Sequence, residues 1–274
     1  MLVCRYSDGG RRGYGRVDDD HVVPADYDRD TRRWVRRSGP ARPISEVTVL
    51  APAEPTKVVC IALNHGTGRP ADPASTAVVL KPPSSLTGPW TSIGHPGRPW
   101  LLKHEAELAI VIGTRCKKVL PAHAEEVVAG YTCANDITAY AHPQDGGAPA
   151  GDLVWAKHFD GCTPLGPWLA TDLDVADAEI TCSVDGAIRQ RGSTRELRTP
   201  VHDVIALVSE HMTLLPGDVI LTGTPAGSGP LPPGSRVEVA IEGIGALCNT
   251  IDEPSGAARE PDAAGSERER SFTP

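Results

Sequence analysis

The sequence predicts a mixed α/β fold that is predominantly β, with short helices and a small β module at its N-terminus. Three observations carry this expectation. Short runs of β-branched and apolar residues recur along the chain. Glycine-containing turn signals such as Asp8-Gly9-Gly10 and Asp185-Gly186 separate several of them. Helical periodicity is confined to a few brief stretches.

The elements follow in order. Residues 1–50 read as short strands and turns with sparse apolar residues, which predicts the N-terminal β module. Pro52 and Pro55 punctuate a linker, and a catalytic domain is expected over residues 55–251. Val58-Val59-Cys60-Ile61-Ala62-Leu63 is short enough for a buried strand. From residue 65 to about 100 the chain is rich in Gly, Pro, Ser and Thr around one apolar island, Val78-Val79-Leu80. Long irregular segments of this kind are usually functional or mobile. Glu105 to Gly113 alternates and reads as a strand. Pro121 to Ala129 predicts a short helix, with Gly130 beyond its end. Asp185-Gly186 predicts a type I′ hairpin turn. Thr199 is expected to cap a helix that has Pro200 at its first position and an apolar stripe of Val204, Ile205, Val208 and Met212. Val219-Ile220-Leu221 reads as a strand running into Thr222-Gly223-Thr224-Pro225. Val237 to Ile241 alternates up to Gly243-Ile244-Gly245. Residues 252–274 are Pro, Gly, Ser, Ala and charge, the composition of a disordered tail.

Composition narrows the function. The formal net charge of -8 argues against nucleic acid as the main partner. Acidic residues interleave the arginines of residues 29–37, so that stretch reads as a solvated face. Aromatics are only 4% of the chain, so the core must rest on Val, Ile, Leu and Ala. Seven scattered cysteines without a CxxC pair read as buried reduced thiols. No apolar run could span a bilayer, which gives no membrane partner and a cytoplasmic location as the expectation.

Glu105 and Glu107 are the sharpest chemical feature. On a strand of period two both carboxylates point to one face, beside the apolar run Leu108 to Ile112. Such a pair repels unless one member takes a proton or a cation lies between them. A hard divalent cation such as Mg2+ meets that need with oxygen ligands. A solvated strand face would also carry two glutamates. Asp136, after Asn135, offers a third carboxylate, or else a turn cap. His104-Glu105 does not continue into HExxH, because position 108 is Leu.

At this point the residues resemble the fumarylacetoacetate hydrolase family. The matching pieces are Leu63-Asn64, Leu80-Lys81-Pro82-Pro83-Ser84-Ser85, Glu105-Ala106-Glu107-Leu108-Ala109, Gly130-Tyr131-Thr132 and Asn135-Asp136. They continue with Ala156-Lys157, Phe159-Asp160, Pro164-Leu165-Gly166-Pro167-Trp168, Pro216 to Pro225 and Gly243-Ile244-Gly245, in family order. The resemblance implies a mixed β-sheet roll and a homodimer. It implies Mg2+ or Mn2+ on Glu105, Glu107 and Asp136, Lys157 against the substrate or its enolate, and Thr224 in the same pocket. Lys81 and Gln144 are further substrate-binding candidates by their place in family motifs.

The chain also departs from the pattern. Family hydrolases place a water-activating His and Glu on a lid helix, where this chain has Gly68 and Ala71. Tyr140 stands where the family often has Arg, which implies a different contact to the substrate anion, or none. His65 and His142 are candidate replacement bases, with His158 and Asp72 behind them. The expected function is metal-dependent isomerisation, decarboxylation, dehydration or cyclisation of a small 2-oxo acid or 1,3-dicarbonyl substrate. Hydrolysis of a C–C bond with a relocated base, and metabolite binding without turnover, are the alternatives.

Overall fold

A computed structural model describes residues 1–28, 30–31, 33–66, 77–97, 100–141 and 153–254. Gly68, Ala71, Asp72, His142, Gln144 and the expected tail from residue 255 onward lie outside the described residues.

The N-terminal run comprises β1 (Leu2–Asp8), β2 (Arg11–Asp18), β3 (His21–Asp28), β4 (Arg33–Arg36), β5 (Arg42–Pro43) and β6 (Thr48–Leu50). Next come β7 (Val58–Ile61), β8 (Val78–Lys81), β9 (Leu86–Thr87) and β10 (Ser92–Ile93). The centre of the chain holds β11 (Trp100–His104), β12 (Ala106–Ile112), β13 (Val128–Asn135), β14 (Thr138–Ala141) and helix α1 (Leu153–Lys157). After these run β15 (Thr163–Ala170), β16 (Glu179–Val184), β17 (Ala187–Ser193) and helix α2 (Val201–His211). The last strands are β18 (Val219–Leu221), β19 (Gly229–Leu231), β20 (Arg236–Ile241) and β21 (Gly245–Ile251).

Among the described residues the largest sheet runs β4-β3-β2-β1-β15-β13-β12-β18-β7-β8, with β5, β6 and β9 attached at its side. The β7–β18 pairing is parallel and its other neighbours along this path are antiparallel, so the sheet is mixed. A second sheet, β10-β21-β20-β16-β17, packs beside it, and β14-β11-β19 forms a small third one. The N-terminal strands extend the main sheet, because Leu2 and Val3 of β1 pair with Ala170 and Leu169 of β15.

Strand β12 is the spine, and all seven of its residues are buried. A strand covered on both faces needs an apolar residue at almost every position, and Leu108 to Ile112 supplies this. Alternation then divides the core. Ala106, Leu108, Ile110 and Ile112 pack with Val237, Val239 and Leu247 of the second sheet and with Val204, Ile205 and Val208 of α2. Ala109 and Val111 face the other way, toward Val58, Cys60, Leu165, Val219 and Leu221. Glu107 has the parity of this second group.

That face is the inside of a roll. From β8 to β13 the sheet takes four strand steps, about 19 Å if flat at ~4.8 Å per step. Yet the Lys81 ammonium on β8 lies 2.5 Å from Asp136 Oδ1, just past the end of β13. The sheet must therefore curl until its two regions meet.

Several local expectations change. Pro121–Val127 is a 3-10 helix, and β13 already begins at Val128, because the ladder with β12 draws these β-branched residues into extended backbone. Thr199 does not cap α2. The N-cap is Pro200, whose side chain cannot cap, and Thr199 stands one position outside the helix with its N–H and C=O both engaged by Asn64. Glu105 lies in the break between β11 and β12 rather than within a strand. The turn at Asp185-Gly186 has positive φ at both residues, as a type I′ hairpin requires. All seven cysteines are buried and free, and no helix among the described residues is long and apolar enough to cross a membrane.

Asp218 latches the linker to the spine. Its enclosed carboxylate accepts from Thr56 N–H (2.9 Å), Thr56 Oγ1 (2.7 Å), Lys57 N–H (3.2 Å) and Leu215 N–H (2.8 Å), and pairs with the Lys57 ammonium. Burial alone would raise its pKa, but the hydrogen bonds from Lys57 and Thr56 hold it below the ordinary value. Its stabilising effect is therefore present above the unfolded carboxylate pKa and is lost as pH falls through the lower folded value. Asp218→Ala is expected to cost about 2–3 kcal/mol at neutral pH. Urea unfolding of both proteins along an acid series should show this difference shrinking toward low pH.

Candidate metal centre

Sheet register brings four strand termini to one edge. The start of β12 lies opposite the end of β13, since Ala106 pairs with Asn135. The end of β18 lies between β12 and the end of β7, since Leu221 pairs with both Ala109 and Cys60. Glu105, Glu107, Asp136 and the turn after Leu221 all emerge there.

One carboxylate oxygen from each of Glu105, Glu107 and Asp136 lies within 4.8 Å of the other two. Glu107 and Asp136 are only 3% and 2% exposed, and Glu105 is partly buried. Backbone contacts fix the frame. Glu105 N–H donates to Asn135 Oδ1 (2.9 Å), and Asp136 N–H donates to Glu105 C=O (2.9 Å).

Two lysines hold Asp136. Lys81 donates to Asp136 Oδ1 (2.5 Å) and to Cys162 C=O (2.8 Å). Lys157, the last residue of α1, donates to Asp136 Oδ2 (2.5 Å) and to Glu105 Oε2 (2.8 Å). Lys103 pairs with the other Glu105 oxygen at 3.0 Å. Burial opposes the charge on Asp136, but Lys81 and Lys157 outweigh it and lower its pKa. Burial likewise opposes charge on Lys157, and Asp136 and Glu105 reverse this and raise its pKa.

Glu107 stands apart. Its carboxylate accepts from Gly223 N–H at 2.6 Å. Burial, then the neighbouring Asp136, pushes its pKa well up. Gly223 has φ of +102°, and a Cβ there would come within 2.9 Å of Asn64 Cβ, so only glycine lets this N–H reach Glu107. A buried carboxylate raised in this way either binds a proton or shares a cation. Three oxygen donors this close, two of them already bridged by an ammonium, fit a hard divalent cation with positions left for other ligands.

The triad opens into a cavity of about 530 Å3. His65 and Thr224 line it, and so does Lys157. Both ring nitrogens of His65 are buried without a hydrogen-bond partner among the described residues. Burial lowers its pKa, with Glu196 acting in the opposite direction. Lys81 does not line the cavity; it is 1% exposed and stands behind Asp136. Tyr140, on β14, is also outside the cavity wall. His158 is half-buried, with Nδ1 against Val154 C=O.

Sequence reading passes over several neighbours. Gln190 is 1% exposed. It accepts from Ala106 N–H (3.1 Å), its Oε1 lies 2.8 Å from His104 Nδ1, and its Nε2 donates to Thr224 Oγ1 (2.8 Å) and Pro225 C=O (2.8 Å). It ties β17 to both the triad strand and the turn. Its partners lie far away in sequence, so no local pattern marks it. Lys103, Arg191 and Glu196 on the cavity wall are equally unmarked.

Manganese titration followed by the EPR signal of the free ion is expected to show one ion taken up per chain. Glu107→Ala should weaken that uptake by about tenfold or more, since affinity follows the number of charged ligands. Circular dichroism separates this loss from unfolding.

Residues 57–252 match the family model described as fumarylacetoacetate (FAA) hydrolase, C-terminal, and residues 1–52 match Rv2993c-like, N-terminal. The human protein named oxaloacetate tautomerase FAHD2A, mitochondrial, is 37% identical over 237 residues, covering 80% of this chain and 74% of the relative. The solved structure of 5-carboxymethyl-2-hydroxymuconate delta-isomerase from Mycobacterium smegmatis superimposes with a TM-score of 0.82 at 35% identity, covering 92% of this chain and 99% of the other. Maleylpyruvate hydrolase from Sphingobium sp. SYK-6, solved with manganese(II) and pyruvate, gives a TM-score of 0.76 at 28% identity, covering 93% of this chain and 100% of the other. The matched family model spans more than half of the chain and contains every residue of the carboxylate triad, and the chain belongs to the fumarylacetoacetate hydrolase family.

Proposed function

We propose that this chain is a divalent-metal-dependent enzyme that shifts a proton on a small, enolisable 2-oxo acid or 1,3-dicarbonyl compound, with keto–enol isomerisation as its reaction. Decarboxylation, dehydration or cyclisation through the same enolate would use the same groups. The observation that carries the reading is the carboxylate triad opening into one cavity, with the Lys157 ammonium bridging two of its members.

A Mg2+ or Mn2+ ion held by Glu105, Glu107 and Asp136 would supply Lewis acidity toward a substrate carbonyl. The chain's own residues do the rest. Lys157, kept charged by Asp136 and Glu105, offers positive charge to an oxygen that becomes an enolate. Lys81 keeps Asp136 ionised and oriented from behind. His65 lies on the cavity wall with its pKa lowered by burial, so its imidazole is neutral and has a lone pair to take a proton. The Thr224 hydroxyl, positioned by Gln190, offers a hydrogen bond to the same substrate. In this reading the protein works as a homodimer, and sedimentation at the monomer mass would refute that part.

The names of the human and Mycobacterium smegmatis proteins support an isomerase. The Sphingobium protein supports a second reading, hydrolytic cleavage of a C–C bond. The two are separated with the enol form of oxaloacetate and with acylpyruvates, in deuterated water and in 18O-water. Isomerisation predicts accelerated enol decay and solvent deuterium at the carbon next to the carbonyl, with no 18O in a cleaved carboxylate. Incorporation of 18O into a cleaved product would establish the hydrolase instead.

Two variants carry the residue assignments. Lys157→Met should lower kcat by about 10²- to 10³-fold, as loss of a preorganised charge does elsewhere, with KM changed little. His65→Gln should lower kcat by about 10²- to 10⁴-fold and remove the acidic limb of the pH–rate profile. An unchanged kcat in His65→Gln would exclude it as the base.

A further inference from the structure

Charge is unevenly placed along this chain. Residues 1–52 carry ten arginines, no lysine and eight carboxylates, so the N-terminal module is net positive in a chain whose formal net charge is -8. A cavity of about 220 Å3 opens on this module. Arg11, Arg37 and Arg42 are on its wall together with Tyr6, Gly13 and one acidic residue, Asp8. It shares no residue with the cavity at the carboxylate triad.

Strand register brings these groups to one place. Cross-strand partners stand on the same face of a sheet, as do residues two apart on one strand. Tyr6 pairs with Gly13 and Asp8 with Arg11, so all four share a face of the β1–β2 hairpin. The segment after β4 is then fastened to β3. Arg37 N–H donates to Pro24 C=O (2.9 Å), and a Cβ at Gly39 would lie 3.2 Å from Pro24 Cγ. β5 pairs with β3 in turn, and from it Arg42 Nε comes within 3.1 Å of Asp8 Oδ2. Gly13 has no side chain to fill the space beside Tyr6, where a Cβ would stand 3.9 Å from the hydroxyl oxygen. Burial raises the Tyr6 pKa, and the Arg37 and Arg42 guanidiniums pull it back, so both charges act at this hydroxyl.

The positive charge exceeds what the protein itself meets. Asp8 turns to Arg42, and Arg37 is 3.7 Å from Asp26, beyond hydrogen-bond distance. Arg11, the cross-strand neighbour of Asp8, has no ion pair or hydrogen bond among the described residues. A guanidinium is a fixed fork of donors matched to oxyanions. A tetrahedral phosphate can present oxygens to three such forks at once, whereas a carboxylate offers two oxygens in one plane.

We infer that this cavity binds the phosphate group of a small phosphomonoester, held by Arg11, Arg37 and Arg42 with the Tyr6 hydroxyl as a further donor. The acidic turn Asp18-Asp19-Asp20 on the same module disfavours a long polyanion. The site stands apart from the triad, so the inference holds whatever reaction the triad performs.

Calorimetry on the full-length protein tests it, with EDTA present so that no metal at the triad captures phosphate. The probe is glycerol 3-phosphate above its second ionisation, near pH ~6, at constant ionic strength. One molecule should bind per chain. Arg11→Gln should weaken binding by about tenfold or more, the loss expected for one charged hydrogen-bond donor, and Arg11→Lys should restore part of it. Arg16→Gln, on the same strand but outside the cavity, should leave affinity within about twofold, since exposed charges at a distance are screened. Dimethyl phosphate, with a single charge, and malonate, with two planar carboxylates, should each bind about tenfold more weakly. Circular dichroism should be unchanged in every variant. No binding of glycerol 3-phosphate, full affinity in Arg11→Gln, or an equal loss in Arg16→Gln would overturn the site. Equal affinity for malonate would overturn its assignment to phosphate, and equal affinity for dimethyl phosphate its assignment to a monoester.

Discussion

The clamp of two lysines on Asp136 is the contact on which the rest of the structure depends. A carboxylate only 2% exposed is costly to bury unless its charge is met by paired donors. Lys81 and Lys157 meet it from opposite ends of the architecture, one at the end of β8 and the other at the end of α1. Removing either would leave charge in a water-poor interior. The curl of the main sheet, the seating of α1 and the ionisation of the triad are therefore one problem with one solution.

The clamp also makes the three carboxylates unlike one another. Asp136 is fully compensated and titrates low, whereas Glu107 has a backbone amide and a negative neighbour and titrates high. Glu105 is the most exposed of the three and shares Lys157 and Lys103. An electrostatic gradient thus runs across a few ångströms, steepened by the low polarizability of the surroundings. Residual demand for positive charge is concentrated at Glu107, beside the turn that carries Thr224.

Much of this was legible from the sequence, and the reasons are local. The β12 spine shows as an unbroken apolar run because both of its faces are covered. The hairpin at Asp185-Gly186 shows because positive φ selects its residues. Glu105 and Glu107 stand out because acidic residues flank that apolar run. What stayed hidden depends on contacts between distant parts of the chain. Lys81 looks like any motif lysine until the roll places it behind Asp136. Gln190 has no pattern of its own, since its partners lie on β11, at the start of β12 and after β18. Thr199 misleads because Asn64, 135 residues away, holds its backbone one position outside the helix, where Pro200 is the N-cap. The substituted lid positions, Gly68 and Ala71, are plain in the sequence and fall outside the described residues.

Strand order has a consequence for how the protein is made. In the main sheet β18 lies between β12 and β7, although it comes more than a hundred residues after both. A chain leaving the ribosome therefore exposes two strongly apolar strand edges that have no neighbour until residue 221 has emerged. The turn beside Glu107 and the cavity are completed only once β18 has emerged. Premature release or truncation before β18 would yield a sticky, open sheet rather than a weakened enzyme, and such edges are what chaperones shield in slow, long-range β topologies.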